Sequence, residues 1–334
     1  MSRYRKDIGF AKSLVALMIL VMCLAASLFV LLNRQLLVDY ATNWSFKPTD
    51  SVVDLAKNTS MNKNGKFIFY ASRPQLQAAK DFNNECQKQE QMSAILGCYT
   101  RNQIFIYDIQ NTELAGIKEV TAAHEMLHAA YDRLDDKTKE RVNIMLENEY
   151  QKLKNDQKLA ERMAMYDRLE PGQRDNELHS IVGTEIASID SGLEDYYKKY
   201  FDDRSVVIKH YDTYSSVFRE LEQKSNDLEK RVTDLSVQIQ DAKLDYDMKA
   251  AALQRDINSF NSAATNGSFN SRSEFNSTRS ALMIRADNLD MARADINAKI
   301  TEFNNLTSQL KSLALHATEL NNSIDSTLAP APSL

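Results

Sequence analysis

Residues 122–132 read AAHEMLHAAYD and contain the arrangement H-E-x-x-H at His124, Glu125 and His128. Small alanines flank this motif, and neither glycine nor proline interrupts residues 118–134, which favours a helix that packs closely inside a domain. Because side chains at positions i and i+4 lie on one face of a helix, the two imidazoles can bind the same metal ion. Glu125 would then face a metal-activated water as a general base. The alternative is an ordinary exposed helix that carries two histidines by accident.

A third metal ligand has to come from elsewhere in the chain. A catalytic zinc usually takes three protein ligands and keeps one position open for water. The residues after His128 lack the third histidine of the extended H-E-x-x-H-x-x-G-x-x-H pattern. The best candidate stretch is residues 176–185, NELHSIVGTE, in which Glu177 is the predicted ligand and Glu185 and His179 remain alternatives. Each also has an ordinary interpretation, since a glutamate near a helix start complements the helix dipole.

These two stretches together resemble the gluzincin group of zinc metallopeptidases, in which a glutamate on a later helix completes the zinc site. Residues 176–180 look like the N-E-x-x-S form of the second gluzincin motif, with Ile181 where an aspartate often follows the serine. The layout over residues 64–204 is also similar to that of lethal-factor-type zinc endopeptidases. The resemblance implies hydrolysis of peptide bonds, with Zn2+ as cofactor and Glu125 as general base.

Such a reaction makes two further demands on the chain. The tetrahedral oxyanion needs another hydrogen-bond donor, for which Tyr166, His179 and Arg174 are the candidates. An extended peptide substrate needs a strand on which to add, and residues 104–109, IFIYDI, are the predicted strand nearest the motif. The resemblance to zincin folds implies the same placement of the substrate. We therefore expect residues 104–109 to be the edge that binds peptide.

The first 33 residues predict a membrane anchor. Four basic residues lie within residues 1–12, whereas residues 13–33 carry no charge. A helix over 14–32 is long enough to cross the roughly 30 Å hydrocarbon layer. The positive charges before it predict a cytoplasmic N-terminus and an extracytoplasmic remainder. A cleaved signal peptide is the alternative, because residues 25–27 are small, but the apolar region of a signal peptide is usually shorter.

The region between the anchor and the motif helix predicts a stem followed by an α+β domain. Residues 34–63 show no sustained period and are predicted as a stem with a short helix at 51–57. The zincin-like domain, residues 64–204, is predicted to begin with a strand at 66–71, where Asn64-Gly65 marks a turn, and a helix at 75–89 with its N-cap near Ser72. Further helices are predicted over about 135–168, from residue 174 and over 193–201.

Two of the three cysteines lie in the predicted domain. An extracytoplasmic location would permit a disulfide between Cys86 and Cys98, which would close a short loop before the second strand. Two buried thiols are the alternative. Cys23 lies inside the predicted membrane span, where we expect it only to pack.

The C-terminal third of the chain has a heptad pattern. Apolar residues recur every seven positions in two segments, for example at Leu221, Leu228 and Leu235 and again at Leu282, Leu289 and Ile296. Residues 205–326 are therefore predicted to form an antiparallel coiled-coil hairpin with a polar loop at about 261–276. An intermolecular parallel coil is the alternative. Residues 327–334 are predicted to be a disordered tail.

Composition limits the class of protein and of partner. The 334 residues are 43% hydrophobic and 26% charged, and only 8 glycines and 5 prolines occur, which favours a mainly α chain with a small β-sheet. A net charge of −5 argues against nucleic acid as the main partner.

Two functions remain as hypotheses. The first is a membrane-anchored, extracytoplasmic zinc metallopeptidase that acts on a peptide or protein substrate. The second is a bitopic cell-envelope scaffold with an inactive or structural metallopeptidase-like domain. In the scaffold, the coiled coil would bind a protein partner or self-associate. Whether Glu125 matters to the protein would separate the two hypotheses.

Overall fold

The chain begins with an apolar helix, α1 (Arg3–Leu32). The structure is a computed structural model that describes residues 3–86, 95–169 and 172–327. Within those ranges, the Leu14–Leu32 stretch of α1 is the one helical segment long and apolar enough to span a membrane or to serve as a signal anchor. The chain forms two compact units, one reaching to Ser216 and including the C-terminal segment from Asn322, and one from Val217 to Asn321.

The first unit is mainly helical with one three-stranded sheet of order β1-β3-β2. Its strands are β1 (Gln75–Gln77), β2 (Gly97–Thr100) and β3 (Gln103–Tyr107). Its helices after α1 are α2 (Arg34–Ser45), α3 (Asp50–Asn58), α4 (Lys63–Ala71), α5 (Ala79–Glu85), α6 (Ile117–Asp132), α7 (Asp136–Leu153), α8 (Gln157–Leu169), α9 (Arg174–Glu185) and α10 (Ser191–Tyr197), with a 3-10 turn at Thr112–Leu114. Two long helices follow, α11 (Ser205–Thr265) and α12 (Arg272–Ile324).

The motif helix α6 lies in the core of the first unit, as predicted. The alanines that flank the motif are fully buried, as are Met126 and Leu127. Helix α9 packs against α6 at Gly183, where a Cβ would lie only 2.4 Å from Leu127 Cδ1. Each large apolar side chain buried here contributes about 1.5–3 kcal/mol. Small residues therefore let α6 and α9 approach, and this contact brings the two predicted halves of the site together.

The prediction of a strand at 66–71 is wrong, because these residues belong to α4. The Asn62 side chain caps this helix by accepting hydrogen bonds from the N–H groups of Asn64 and Gly65. Ile68 and Phe69 then turn inward at helical spacing and are buried. A short run of aromatic and β-branched residues fits either element, and here tertiary packing selects the helix.

The predicted helix at 75–89 is also wrong at its start. Ser72 does not cap that helix; its hydroxyl donates to the Ile68 carbonyl and it ends α4 instead. The chain then forms β1, which runs parallel to β3 with Leu76 opposite Ile106, and turns helical only at Ala79. Residues 87–89 lie outside the described residues.

Residues 34–63, predicted as a stem, have regular structure. They form α2 and α3, and the predicted short helix at 51–57 lies within α3. Val52, Leu55 and Ala56 of α3 are buried in the main hydrophobic core. The apolar residues of α3 therefore belong to the packing of the first unit.

The predicted disulfide between Cys86 and Cys98 is present. It joins the end of α5 to the edge strand β2, and both cysteines pack with Phe82 and Phe105 in a small second core. The free cysteine, Cys23, lies in α1.

The second unit consists of α11 and α12 segments consistent with the predicted hairpin. Arg231 pairs with Glu302 at 3.2 Å, and Arg285 pairs with Asp256 at 2.6 Å. Because the partner number falls as the residue number rises, the two helices run antiparallel. The connection is shorter than the predicted loop at 261–276, since α11 continues to Thr265 and α12 begins at Arg272. The predicted tail lies outside the described residues, except for Thr327.

Candidate metal centre

Helix α6 presents both histidines of the motif on one face. His124 and His128 are one turn apart, and their rings meet edge to face with centroids 4.7 Å apart. The helix begins at Gly116, whose φ of +98° is a left-handed conformation that glycine adopts without strain. Glu125, the neighbour of His124, is buried at 5% exposure. Helix α6 thus places His124 and His128 on one face, as their spacing of four residues predicts.

Glu177 of α9 completes a cluster with the two histidines. Its carboxylate oxygens lie 3.6 Å from His124 Nε2 and 3.5 Å from His128 Nε2. One ligand atom from each of the three residues falls within 4.8 Å of the others. Two ligands of a tetrahedral ion with bonds of about 2.0–2.1 Å are roughly 3.3–3.4 Å apart, which is close to the two distances between Glu177 and the histidines.

A second observation concerns the charge of this cluster. Glu177 Oε2 is buried and has no hydrogen-bond partner among the described residues. A buried carboxylate oxygen without a donor is costly, and a bound cation would compensate for it. The donor set of two imidazoles and one carboxylate fits a metal ion but does not by itself select zinc.

The two alternative ligands, Glu185 and His179, form hydrogen bonds with residues outside the cluster. Glu185 accepts two hydrogen bonds from the Arg162 guanidinium, at 2.8 and 3.1 Å. His179 is fully buried among tyrosines, and its Nε2 lies 2.9 Å from the Tyr196 hydroxyl. The structure therefore brings Glu177, and neither Glu185 nor His179, to the two motif histidines.

Asn176 has a role that the sequence analysis did not assign. Its Oδ1 lies 3.0 Å from His128 Nδ1. An N–H at Nδ1 that donates to this oxygen fixes the tautomer in which Nε2 carries the lone pair, and Nε2 is the atom that faces Glu177. The sequence contained a signal for this role, because Asn176 directly precedes the predicted ligand Glu177 in residues 176–185.

Burial and mutual charge set the pKa values of the cluster. Burial raises the pKa of Glu125 to about 8, an effect that His124 opposes and that the Glu177 charge increases. Burial also acts to raise the pKa of Glu177, but His128 and His124 outweigh it and lower that pKa to about 2. Glu177 is thus a permanent anion, whereas Glu125 can exchange a proton near neutral pH, which suits a general base.

The edge strand β2 lies directly against Glu125. A Cβ on Gly97 would lie 2.7 Å from Glu125 Oε1 and 2.6 Å from Thr121 Cγ2. Only glycine permits this approach of β2 to α6 without displacement of one of them. The expectation that residues 104–109 form the peptide-binding edge is wrong, because β3 is paired on both sides and β2 is the edge next to the motif.

Of the three predicted oxyanion donors, Tyr166 lies beside the cluster. Burial and then the nearby Glu177 carboxylate raise the pKa of Tyr166 well above its usual value, which keeps its hydroxyl protonated. Arg174 is bound 2.9 Å from Glu147 and 3.5 Å from Asp167. The third candidate, His179, is buried with Tyr196 as described above.

Comparison of the chain with models of protein families, with curated proteins and with solved structures found no match. The function of the site therefore has to be argued from its own residues.

Proposed function

We propose that the protein is a membrane-anchored zinc metallopeptidase. The observation that carries the proposal is the convergence of His124, His128 and Glu177 next to the buried Glu125. This arrangement matches the residue types and the helical spacing that hydrolysis of this kind requires. Zinc held by the three residues would supply a Lewis acid that polarises a peptide carbonyl and makes a water acidic.

The remaining steps fall to residues of the chain. Glu125 accepts the proton of the attacking water and later passes it to the leaving amine. Tyr166 keeps its proton and donates a hydrogen bond to the developing oxyanion. Asn176 holds His128 in the tautomer that leaves Nε2 free.

An extended peptide is the substrate that best fits the neighbouring strand. The outer edge of β2 pairs with no strand in the described parts of the chain, and its first residue, Gly97, touches Glu125. A peptide that adds to this edge would form main-chain hydrogen bonds with little demand on its sequence. Its carbonyls would then pass close to Glu125.

The proposed location is extracytoplasmic. The basic residues before α1 favour a cytoplasmic N-terminus, which places the domain on the other side of the membrane. The bond between Cys86 and Cys98 supports this location, because disulfides persist in oxidising compartments.

Metal content of the purified full chain tests the ligand set. Elemental analysis should find one zinc per chain, and zinc should be lost from His128→Ala and from Glu177→Ala. Matched controls are His316→Ala on α12 and Glu140→Ala on α7, which replace the same residue types outside the cluster and should keep the metal. A parent chain without zinc after reconstitution would contradict the proposal.

The Glu125→Gln variant tests the catalytic role separately from metal binding. It should keep its zinc and lose hydrolysis of fluorescently labelled casein by about 10²–10⁴-fold, the usual contribution of a general base. Equal hydrolysis by the parent and the variant would show that Glu125 is not the base.

A scaffold function is the competing proposal, and the second unit favours it. Several apolar side chains of the hairpin are exposed, namely Val237, Leu244, Met248, Met283, Ile284 and Met291. Exposed apolar residues along a helix pair suit a protein partner or self-association. A parent that binds no zinc, together with a self-associating hairpin, would favour this function over the peptidase.

A further inference from the structure

Helix α2 is amphipathic in the opposite sense to a helix on the surface of a soluble domain. Its polar residues Gln35, Asp39 and Asn43 share one side of the helix, where Asp39 is buried at 3% exposure and Asn43 is partly buried, whereas Gln35 is exposed and donates to Asp39. At about 100° per residue these three positions fall within roughly 80° of the helix circumference. A helix on a soluble domain normally buries its apolar side and exposes its polar side.

The polar side of α2 forms hydrogen bonds with other elements of the first unit. Asp39 accepts two hydrogen bonds from the Arg133 guanidinium, at 2.8 and 2.9 Å, and a third from Gln35 at 2.9 Å. The Asn43 amide donates to the Phe67 carbonyl at 3.0 Å. Arg133 directly follows α6, so these bonds join α2 to the end of the motif helix.

The apolar side of α2 is exposed. Leu36, Leu37, Val38, Tyr40 and Trp44 lie here; Tyr40 is 61% exposed and Trp44 93%. These residues cover an arc of roughly 200°. Tyr40 stands at its margin, with its ring 5.0 Å from that of Phe67.

The position of α2 in the chain indicates what covers this side. The apolar stretch Leu14–Leu32 ends one residue before α2 begins at Arg34. That residue, Asn33, has φ −111° and ψ 19°, which interrupts the helix geometry between α1 and α2. At about 1.5 Å per residue, Leu36 and Leu37 lie within roughly 8 Å of the end of the span, inside the headgroup layer.

We propose that the apolar side of α2 lies in the interfacial layer of the membrane that α1 crosses, with Trp44 and Tyr40 at headgroup depth. Tryptophan and tyrosine favour this layer because their rings have an apolar body and a polar tip. A helix that lies along the surface keeps residues 36–44 at one depth, which a continuation of the span would not do. The inference rests on the span and is independent of the metal centre.

The single tryptophan of the chain makes the proposal directly testable. The full chain is reconstituted in phosphatidylcholine vesicles, with lipids brominated either near the headgroup end or near the methyl end of the acyl chain. Trp44 emission should be blue-shifted relative to tryptophan in buffer and protected from aqueous iodide. It should also be quenched more strongly by the bromines near the headgroups.

Three results would overturn the proposal. Emission that resists both bromine positions would place Trp44 in water or under a protein partner. Stronger quenching by bromines near the methyl end would place it in the hydrocarbon layer, as part of the span. Failure of the chain to float with the vesicles would remove the anchor on which the inference rests.

A pair of substitutions on the same chain supplies the control. Leu37→Glu puts a charge in the apolar face and should reduce headgroup quenching and increase quenching by iodide. Val53→Glu changes an exposed valine of α3 in the same way and should leave the Trp44 signal unchanged. A Leu37→Glu variant with the parent's signal would contradict membrane contact at this face.

Discussion

The tautomer of His128 depends on one neighbour. Asn176 Oδ1 lies 3.0 Å from His128 Nδ1 and is the partner that turns Nε2 towards Glu177. We expect Asn176→Ala to weaken zinc binding about 10–100-fold, the usual effect of losing such a partner. Competition with a chromophoric chelator measures this affinity on the full chain.

Asn176→Asp is the matched variant for this test. Its carboxylate can accept the same hydrogen bond, so zinc affinity should stay close to that of the parent. Equal affinities in the parent and in Asn176→Ala would mean that His128 is oriented by the packing of α6 alone.

The contact between Gly97 and Glu125 gives a second prediction at the scale of a residue. A methyl group at position 97 would lie 2.7 Å from Glu125 Oε1, so Gly97→Ala must displace either β2 or the carboxylate. We expect a large loss of casein hydrolysis, on the order of 10²-fold for a misplacement of about 1 Å, with zinc retained.

Gly172→Ala is the comparison for this change. A Cβ added at Gly172 would meet no atom within 4 Å among the described residues, although the φ of +94° at this position strains the backbone of any other residue. This variant should lose some stability and keep its activity per folded chain. Normal hydrolysis by Gly97→Ala would show that Glu125 does not need the position it has here.

At the level of residues, sequence spacing was informative only within a helix. His124, Glu125 and His128 are fixed relative to each other by helical geometry, so their arrangement followed from the motif. Glu177 was expected at the site from the resemblance of residues 176–180 to a second motif, whereas the contact of α9 with α6 that brings Glu177 and Asn176 to the histidines does not follow from helical spacing. The role of Gly97 depends on a strand 28 positions before Glu125 and could not be inferred from its neighbours.

The link between α2 and α6 is a buried ion pair, and it predicts a clear effect at the scale of elements. The side chains of Arg133 and Asp39 are 10% and 4% exposed. Asp39→Ala would leave a buried guanidinium without its anion, which typically costs about 3–5 kcal/mol. We expect a lower midpoint in thermal unfolding of the full chain, followed by circular dichroism.

The exposed pair between Lys198 and Asp195 is the control for this substitution. These side chains are 66% and 71% exposed, and Asp195→Ala should change stability by no more than about 1 kcal/mol. Similar midpoints for both aspartate variants would mean that α2 contributes little to the stability of the first unit.

The sequence predicted helices correctly where a periodic pattern of apolar residues extended over many positions, and it failed where the patterned stretch was short. In the sixteen residues of α6 and in the heptads of α11 and α12, apolar residues repeat with a helical period many times. A strand does not give this pattern. The six residues at 66–71 are too few for periodicity to decide, and the Asn62 cap and the burial of Ile68 and Phe69 go with the helix. The strand β1 has three residues and gives no usable pattern.

On the scale of the whole molecule, the apolar helix and the pair of long helices followed directly from the sequence. Both depend on composition and period over tens of residues. The helix α2 did not, because it exposes its apolar side and buries Asp39. Such a stretch lacks the pattern of a soluble domain, and the proposed contact of α2 with the membrane would account for its exposed apolar side.

The proposed zinc ion would join α6 to α9 through His124, His128 and Glu177, and it should therefore also stabilise the fold. An ion that binds only the folded chain adds about 2.7 kcal/mol when its free concentration is 100 times its dissociation constant. Removal of zinc with a chelator should therefore lower the midpoint of thermal unfolding of the full chain, and added zinc should restore it.

The His128→Ala variant separates this effect from other actions of the chelator. Without one ligand the variant binds little metal, so its midpoint should be low from the start and should not respond to chelator or to zinc. His316→Ala, on α12, should respond as the parent does. If the parent loses its zinc and keeps its midpoint, the ion does not stabilise the contact of α6 with α9, and the core packing of the two helices, which includes Gly183 and Leu127, is sufficient.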